Sequence, residues 1–489
     1  MIPRCRTRQP VTAPGALAFA GEGPGRIGRR RISDTYWRNF APKLGFAYAP
    51  NPRTVVRAGF GISFSQNSGL GSARFPSTLG FNLGSFETGA QVRTLDGGVT
   101  PAFLLDNGYP QNFGLPPKID PSFANGQNIT WTPRDGFRPP YLASWSLSVQ
   151  RELRRNMVVD VAYVGNKGTR LFSYLDRPNQ LDPRFYSLGN LLTQNINSPE
   201  AATAGIRPPF PGFKGTVAQA LRPFPQYRDI TKQIEPDGNS TYHALQTKLE
   251  KRYSDNLNFL VSYTFSKTIT DADSALTFVS FTGHQNGFDK RSERAIGLQD
   301  ATHNLVMSYL YEFPIGKGKR FLNRPGGPNA LLGGWAISGI QTYQTGYPMG
   351  FTVSSPLPGI LLSGDFLRPD RISGQPCRAA AGAGGFDVNR DPYFNGAAFS
   401  QPAPFTFGNA SARYSDCRVP AFINEDISVL KNIRFGERRS LQFRAEFFNL
   451  FNRTVFGGPN LDVSSPTFGR LLSQDNTPRQ IQFVLKLRF

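Results

Sequence analysis

The chain ends in Arg479-Gln480-Ile481-Gln482-Phe483-Val484-Leu485-Lys486-Leu487-Arg488-Phe489. Apolar side chains occupy every second position from Ile481 to Phe489, and the intervening positions are polar except for Val484. Because successive side chains of a β-strand point to opposite faces, this alternation predicts a strand with one apolar and one polar face. Its length matches the roughly 9–11 residues that a tilted strand needs to cross a bilayer. A soluble edge strand can show the same pattern, so its repetition elsewhere decides the fold.

The alternation recurs ten times upstream, in pairs of segments. A helical period of 3.6 residues would mix the apolar and polar sets, so each segment is predicted to be a strand. With the terminal segment, the sequence predicts eleven strands. The pairs lie at 44–48 and 56–64, 141–149 and 157–163, 245–252 and 257–266, 305–313 and 335–347, and 427–429 and 441–447.

The connections between these segments alternate in length. Within four of the five pairs they are short turns, whereas the connections between pairs are long and rich in Gly, Pro, Asn and Ser. Bacterial transmembrane barrels have short periplasmic turns and long extracellular loops, whereas a soluble sandwich has no reason to keep its long loops at one end. The sequence therefore predicts an all-β fold, an antiparallel transmembrane β-barrel with long extracellular loops in the outer membrane of a Gram-negative type of bacterium. The long connections are predicted at 65–140, 166–241, 267–302, 348–425 and 452–478.

The composition separates this fold from other classes. The 489 residues carry a net charge of +21, a hydrophobic content of 39% and a mean hydropathy of −0.35. No apolar run approaches the roughly 18 residues of a membrane-spanning helix. The Arg residues stand singly between apolar residues and no nucleic-acid-binding motif occurs, so we predict no nucleic-acid partner. A basic surface is instead expected to contact outer-membrane lipid and the phosphates of lipopolysaccharide.

The sequence contains no recognisable catalytic motif. Carboxylates do not pair with His or Ser in a nucleophile pattern, and His243, His284 and His303 lack the spacing of metal ligands. We therefore predict that the chain is not an enzyme and has no catalytic residues, no cofactor and no metal site.

Two of the three cysteines, Cys377 and Cys417, share one predicted extracellular loop and are a candidate disulfide. Closing this loop would stabilise the fold by roughly 3–4 kcal/mol in the chain-entropy model. Two free thiols remain the alternative, because the sequence does not show whether the two Cα atoms lie within about 7 Å. The third cysteine, Cys5, lies in the amino-terminal segment.

Residues 1–38 are predicted to be an irregular, poorly ordered segment. They are rich in Pro, Gly and Arg, and their unbroken apolar run, 16–20, is shorter than the roughly 7–15 residues of an export signal. An exported barrel without such a signal suggests that the chain begins partway into a longer protein.

Several motifs, in this order, resemble the TonB-dependent receptors of the Oar-like group. The resemblance covers residues 39–489 and is carried by the set as a whole. The motifs are Asn39-Phe40-Ala41-Pro42-Lys43-Leu44-Gly45-Phe46-Ala47-Tyr48, Val56-Arg57-Ala58-Gly59-Phe60-Gly61-Ile62, Trp145-Ser146-Leu147-Ser148-Val149-Gln150-Arg151-Glu152-Leu153, Tyr242-His243-Ala244-Leu245-Gln246-Thr247-Lys248-Leu249-Glu250-Lys251-Arg252, Ser262-Tyr263-Thr264-Phe265-Ser266-Lys267 and Phe443-Arg444-Ala445-Glu446-Phe447-Phe448-Asn449-Leu450-Phe451-Asn452.

The resemblance implies a 22-stranded barrel around a plug, of which residues 39–489 would be the carboxy-terminal half. It further implies TonB-dependent uptake of an unidentified ligand, bound by residues that are unknown. No segment resembles the plug or the other amino-terminal domains, so the TonB complex would act only through a plug missing from this chain. The alternatives are a passive pore, a surface-adhesion barrel, a non-functional receptor fragment and a soluble basic binding protein.

The resemblance also gives the terminal strand a role. In related barrels the aromatic carboxy-terminal strand is recognised by the barrel-assembly machinery. Phe483, Leu485, Leu487 and Phe489 are therefore the expected assembly signal.

Overall fold

Eleven long strands form one antiparallel sheet, in which each strand pairs with its neighbours in chain order. This computed structural model describes residues 15, 21–24, 26–29, 34–64, 128–131, 138–154, 156–171, 173, 175–232, 236–272, 285–324, 326–354, 367–381, 385–435 and 439–489. The strands are β1 (Lys43–Asn51), β2 (Thr54–Phe64), β3 (Tyr141–Arg154), β4 (Met157–Leu171), β5 (Gly238–Ser254), β6 (Leu257–Thr270), β7 (His303–Glu312), β8 (Trp335–Gln344), β9 (Phe422–Phe435), β10 (Arg439–Phe448) and β11 (Gln480–Arg488). The predicted eleven strands and the all-β antiparallel class are confirmed.

The sheet is open at both edges within the described part of the chain. There β1 pairs with β2 alone, and β11 pairs with β10 alone. The structure therefore supports a sheet of eleven long strands, to which the two-residue strand Ala295–Ile296 adds a twelfth beside β6.

Several strands extend beyond the predicted bounds. The pairing of β4 with β5 continues through Asn166 and Tyr242 to Leu171 and Gly238, and β9 begins at Phe422. Backbone hydrogen bonds can continue where the apolar alternation stops, because both faces of a strand are polar once it leaves the bilayer. The alternation therefore predicts the bilayer-spanning part of each strand better than its ends.

Short turns join the paired strands at one end of the sheet. Asp255 and Asn256 both have positive φ angles, 53° and 64°, as a two-residue type I′ hairpin turn requires. The connection between β7 and β8 is longer and contains a short helix. Among the described residues, no helix is both long enough and apolar enough to span a bilayer.

The remaining elements are short and lie in the connections. The helices are α1 (Pro199–Thr203), α2 (Val217–Ala220) and α3 (Gly327–Leu332), with 3₁₀ segments at Pro183–Thr193 and Gly396–Ala398. Strand Asn128–Trp131 pairs in parallel with Asp229–Lys232, and Asp370–Arg371 pairs antiparallel with Phe399–Ser400.

One face of the sheet is apolar and uncovered. Residues directly opposite each other on paired strands share a face, and the row Leu147, Tyr163, Leu245 and Phe265 lies on it, each residue 42–51% exposed. A soluble sheet would bury such a face against a second layer. Among the described elements no second layer covers it, as expected of a lipid-facing surface.

Candidate functional site

The buried core of this protein lies mainly in its long connections. We name them L1 (65–140), L2 (172–237), L3 (271–302), L4 (345–421) and L5 (449–479), all at the end of the sheet opposite the short turns. The described parts of L2, L3, L4 and L5 pack together, and we call this assembly the loop platform. The following contacts hold it together.

The first hydrophobic cluster joins L2 to L4. Leu181, Leu192 and Val217 of L2 are fully buried, and Val353 and Leu367 of L4 complete the cluster. Phe405 and Phe407 of L4 pack on its surface, and the Phe407 ring lies 5.4 Å from that of Tyr186. Apolar burial on this scale fixes the two connections relative to each other.

The second hydrophobic cluster joins L4 to L5 and contains the cysteines. Phe351 is fully buried, and its ring centroid lies 4.2 Å from that of Phe399 and 5.7 Å from that of Phe468 in L5. The structure links Cys377 and Cys417 by a disulfide inside this cluster, with their Cα atoms 5.4 Å apart.

A polar node at Gln285 connects three of the connections. Its backbone carbonyl accepts a hydrogen bond from Gln180 of L2, and its side chain donates to the carbonyl of Gly408 in L4 at 2.8 Å. The side-chain oxygen accepts from the backbone of Arg368 at 2.7 Å. Because Gln285 is buried, each of these groups would otherwise be an unsatisfied polar atom.

Buried ion pairs reinforce the node. The guanidinium of Arg368 contacts the carboxylate of Glu293, and their side chains are 2% and 4% exposed. Arg418 pairs with Asp300 at 2.7 Å, and the Asp300 side chain is fully buried. Such pairs connect L3 to L4 across a sequence separation of 75 residues or more, so no local sequence signal could have identified them.

Local electrostatics support the helix ends and ring contacts of the platform. The backbone amide of Glu200 and the side chain of Ser198 at the start of α1 lower the pKa of the Glu200 carboxyl. Burial raises the pKa of Tyr227 to about 12, and its hydroxyl donates to the carbonyl of Gly15 at 3.0 Å. Both side chains thus keep the form that suits their contacts, Glu200 charged and Tyr227 neutral.

The structure places His243 and His303 in aromatic clusters. The Tyr163 hydroxyl lies 2.7 Å from Nδ1 of His243, and the Tyr263 hydroxyl lies 2.8 Å from Nδ1 of His303. Both pairs lie on the apolar face, beside Trp145 and Phe265, near the end of the sheet that carries the loop platform. Aromatic side chains concentrate at this depth in membrane barrels. His284 and Cys5 lie outside the described residues.

No group of three or more His, Cys, Asp and Glu that could hold a metal ion occurs in the described ranges. A groove of about 780 Å³ opens along β5 to β10. Its lining is more apolar than polar and mixes Leu260, Leu310 and Ile340 with charged and hydroxyl-bearing side chains. Among its lining residues are Glu250, Arg252, Ser308, Ser338, Asp426 and Arg444.

The terminal strand presents its predicted assembly residues to the outside. Phe483, Leu485 and Leu487 are 68%, 68% and 59% exposed on the apolar face, and Phe489 is 95% exposed. Phe483 lies opposite Ala445 in β10 and stacks on Phe443, so β11 is held by pairing with β10. Their role in assembly stays a prediction.

Comparisons with known proteins agree with the class of fold. A family model described as "Outer membrane beta barrel domain" matches residues 5–482. A search of curated proteins gives no match.

Solved structures similar to the chain include two from Escherichia coli. One is the outer membrane transporter YddB, at 10% identity and a TM-score of 0.39, with 90% of this chain and 39% of that chain covered. The other is the ferric-catecholate import receptor Fiu from strain K12, at 11% identity and a TM-score of 0.37, with 97% and 39% covered. The pyoverdine outer membrane receptor FpvA from Pseudomonas aeruginosa PAO1 gives 9% identity and a TM-score of 0.37, with 92% and 36% covered. The chain spans less than two fifths of the length of each of these solved proteins.

Proposed function

Because the chain belongs to the outer membrane beta barrel domain family, we propose that it forms the carboxy-terminal wall of a TonB-dependent receptor of the Oar-like group. The protein is located in the outer membrane. Residues 39–489 would be the barrel region and residues 1–38 a segment outside the barrel wall. A complete barrel of 22 strands would take its remaining strands, and the plug on which the TonB complex acts, from outside this chain.

We place the ligand site of this receptor on the loop platform. One observation carries this proposal: L2, L3, L4 and L5 fold into a single body with two hydrophobic clusters, a polar node and buried ion pairs. Loops that serve only as connections need no common core, whereas a binding surface gains affinity when it is ordered before the ligand arrives. The unidentified ligand would meet this surface first when it approaches from outside the cell.

A test of the receptor proposal compares uptake in cells with and without TonB. The gene that encodes the chain is deleted and then restored, and accumulation of labelled iron chelates, cobalamin and oligopeptides is measured. We expect that uptake of one ligand class needs both the gene and TonB. A restored gene carrying Arg368→Met, which disturbs the loop platform outside the sheet, should lower that uptake while the amount of protein in the outer membrane stays unchanged.

A passive pore is the second candidate, and the groove along the polar face favours it. Within the described residues no element fills this space of about 780 Å³. A pore would allow uptake that depends on the gene but persists without TonB. A surface-adhesion barrel would change cell binding without changing uptake, and a non-functional fragment would be missing from the outer membrane.

A further inference from the structure

The two ends of the sheet carry different charge. We define the turn end as the end of the sheet opposite L1 to L5. It consists of the β1–β2, β3–β4, β5–β6, β7–β8 and β9–β10 connections, each with four flanking strand residues on either side, together with residues 486–489. The turn end contains 16 Lys and Arg against 5 Asp and Glu, whereas L1 to L5 together contain 24 against 23. Among the strands and their connections, positive charge is therefore concentrated at the turn end, whereas L1 to L5 together are nearly neutral. Residues 1–42, which precede β1, add 8 Lys and Arg against 2 Asp and Glu.

The cations of the turn end are accessible. Most of those that the structure describes are exposed, and they come from all five connections at this end, so they are spread along the rim of the sheet and do not form one patch. The exposed cations of the apolar face and of the connections themselves are Arg53, Arg151, Arg154, Lys317, Arg320, Arg324 and Arg439, whereas Arg57, Arg252, Arg434, Lys486 and Arg488 are exposed on the polar face.

An exposed apolar element, helix α3, also lies at the turn end. In α3, Leu331 and Leu332 are 71% and 52% exposed. The Leu331 carbonyl accepts hydrogen bonds of 2.9 Å from the indole of Trp335 and from the ammonium of Lys431. Trp335 and Lys431 are opposite each other on β8 and β9, in a row that continues to Phe443 on the apolar face. The end of α3 is thus fixed over the lipid-facing side of the sheet.

A second exposed apolar group precedes α3 in the same connection. Phe321 is 53% exposed, and the Arg320 guanidinium lies over its ring at 5.3 Å. Apolar side chains interleaved with cations suit the boundary between acyl chains and headgroups, where the apolar part enters the lipid and the charge remains with the phosphates. A soluble acidic polymer would attract the cations but would leave Leu331, Leu332 and Phe321 in water.

We propose that the turn end binds the phosphate headgroups of anionic phospholipids, with α3 inserted at the acyl boundary. The inference rests on the proposed barrel orientation, which places this end in the periplasmic leaflet. It adds a contact in the periplasmic leaflet, and the contact with lipopolysaccharide phosphates that the net charge predicted stays a prediction. Each Lys or Arg near an anionic surface is expected to raise local binding roughly fivefold, and salt should weaken it.

Tryptophan quenching by brominated lipids tests the proposal, because Trp335 lies at the turn end and Trp145 at the loop end. One variant keeps Trp335 alone (Trp37→Phe, Trp131→Phe, Trp145→Phe) and the other keeps Trp145 alone (Trp37→Phe, Trp131→Phe, Trp335→Phe). Each is inserted into vesicles that contain either brominated phosphatidylglycerol or brominated phosphatidylcholine in equal amount. We expect Trp335 to be quenched at least about fivefold more effectively by the anionic lipid at low salt, and Trp145 to show no preference.

Matched charge variants identify the groups responsible. Replacing Lys317, Arg320, Arg324 and Arg439 by Gln should abolish the preference at Trp335. Replacing four exposed loop-end cations, Arg207, Lys214, Arg291 and Arg294, should leave it intact. Native mass spectrometry of lipid bound to the detergent-solubilised protein repeats the comparison without requiring vesicle insertion.

Equal quenching of Trp335 by both lipids, together with equal retention of both lipids in detergent, would overturn the proposal. Retention of soluble polyglutamate without a preference for phosphatidylglycerol would also overturn it, because the turn end would then serve a macromolecular partner. Neither outcome depends on uptake, so failure of this inference is distinguishable from failure of the receptor proposal.

Discussion

Replacing Arg368 by methionine tests whether buried charge holds the loop platform together. The Arg368 side chain is 2% exposed, contacts Glu293, which is 4% exposed, and also donates to the Ser292 carbonyl at 3.4 Å. Methionine fills much of the same volume but removes the Arg368 guanidinium from its contact with the buried Glu293 carboxylate. Removing one partner of a buried ion pair costs about 3–5 kcal/mol, well above the value of a surface pair.

The magnitude can be measured by hydrogen exchange of backbone amides in L3 and L4. A loss of about 3–5 kcal/mol corresponds to a fall in protection of roughly two to three and a half orders of magnitude, if exchange proceeds through opening of the platform. The amides of Gln285 and Gly287, which are hydrogen-bonded to Glu293 and Gln180, report on the node directly. Amides of β5 and β6 should keep their protection, because the ladder between these strands does not involve Arg368.

Two further variants separate charge from packing. Arg291→Ala removes an exposed cation from the same connection and should change protection by less than a factor of about three. Adding Glu293→Gln to Arg368→Met removes the buried carboxylate charge and should restore more than half of the lost protection. Unchanged exchange at Gln285 and Gly287 in Arg368→Met would refute the claim that this pair stabilises the platform.

Three other outcomes are expected. Cys377 and Cys417 should resist thiol labelling in denatured, unreduced protein, and full labelling at both positions would mean that no bond forms. Deleting Phe489, or replacing it by Asp, should reduce membrane insertion, and unchanged heat-modifiable migration on gels would contradict its role in assembly. The neutral Tyr227 phenol is favoured in the fold because burial raises its pKa from 10.0 to about 12. Its contribution to platform stability should therefore be complete below pH 10 and disappear as the pH rises through about 12. Tyr227→Phe should remove this alkaline step in proteolysis of L2.

The strands could be predicted because the sequence pattern that identifies a lipid-facing strand lies within the strand itself. A lipid-facing strand must be apolar at every second position, so segments such as Phe483-Val484-Leu485-Lys486-Leu487 identify themselves without reference to any partner. Chain order then determines the neighbours, since short turns join strands into hairpins. The same reasoning stops at Asn166, where pairing continues to Leu171 but lipid no longer selects the side chains.

The loop platform could not be predicted in this way. Its contacts join residues as far apart as Gln285 and Gly408, and nothing in the surrounding sequence marks either residue as a partner. Cys377 and Cys417 could be proposed as a pair from the sequence, because cysteines are few and only these two share a connection. The location of the positive charge also could not be predicted, since a net charge of +21 does not show which end of a sheet carries it.

The direction of the edge strands limits how the described sheet can be completed. β1 finishes at a short turn and β11 begins after L5, so both run from the long-connection end toward the turn end. An antiparallel neighbour of either strand must run the opposite way. A second copy of the chain, inserted in the same orientation, offers only edges that run like β1 and β11, so it cannot continue the ladder. Unpaired backbone groups in lipid cost several kcal/mol each, which makes completion a strong requirement. An even-stranded antiparallel barrel therefore needs an odd number of further strands between β11 and β1, and the eleven of the proposed 22-stranded receptor satisfy that condition.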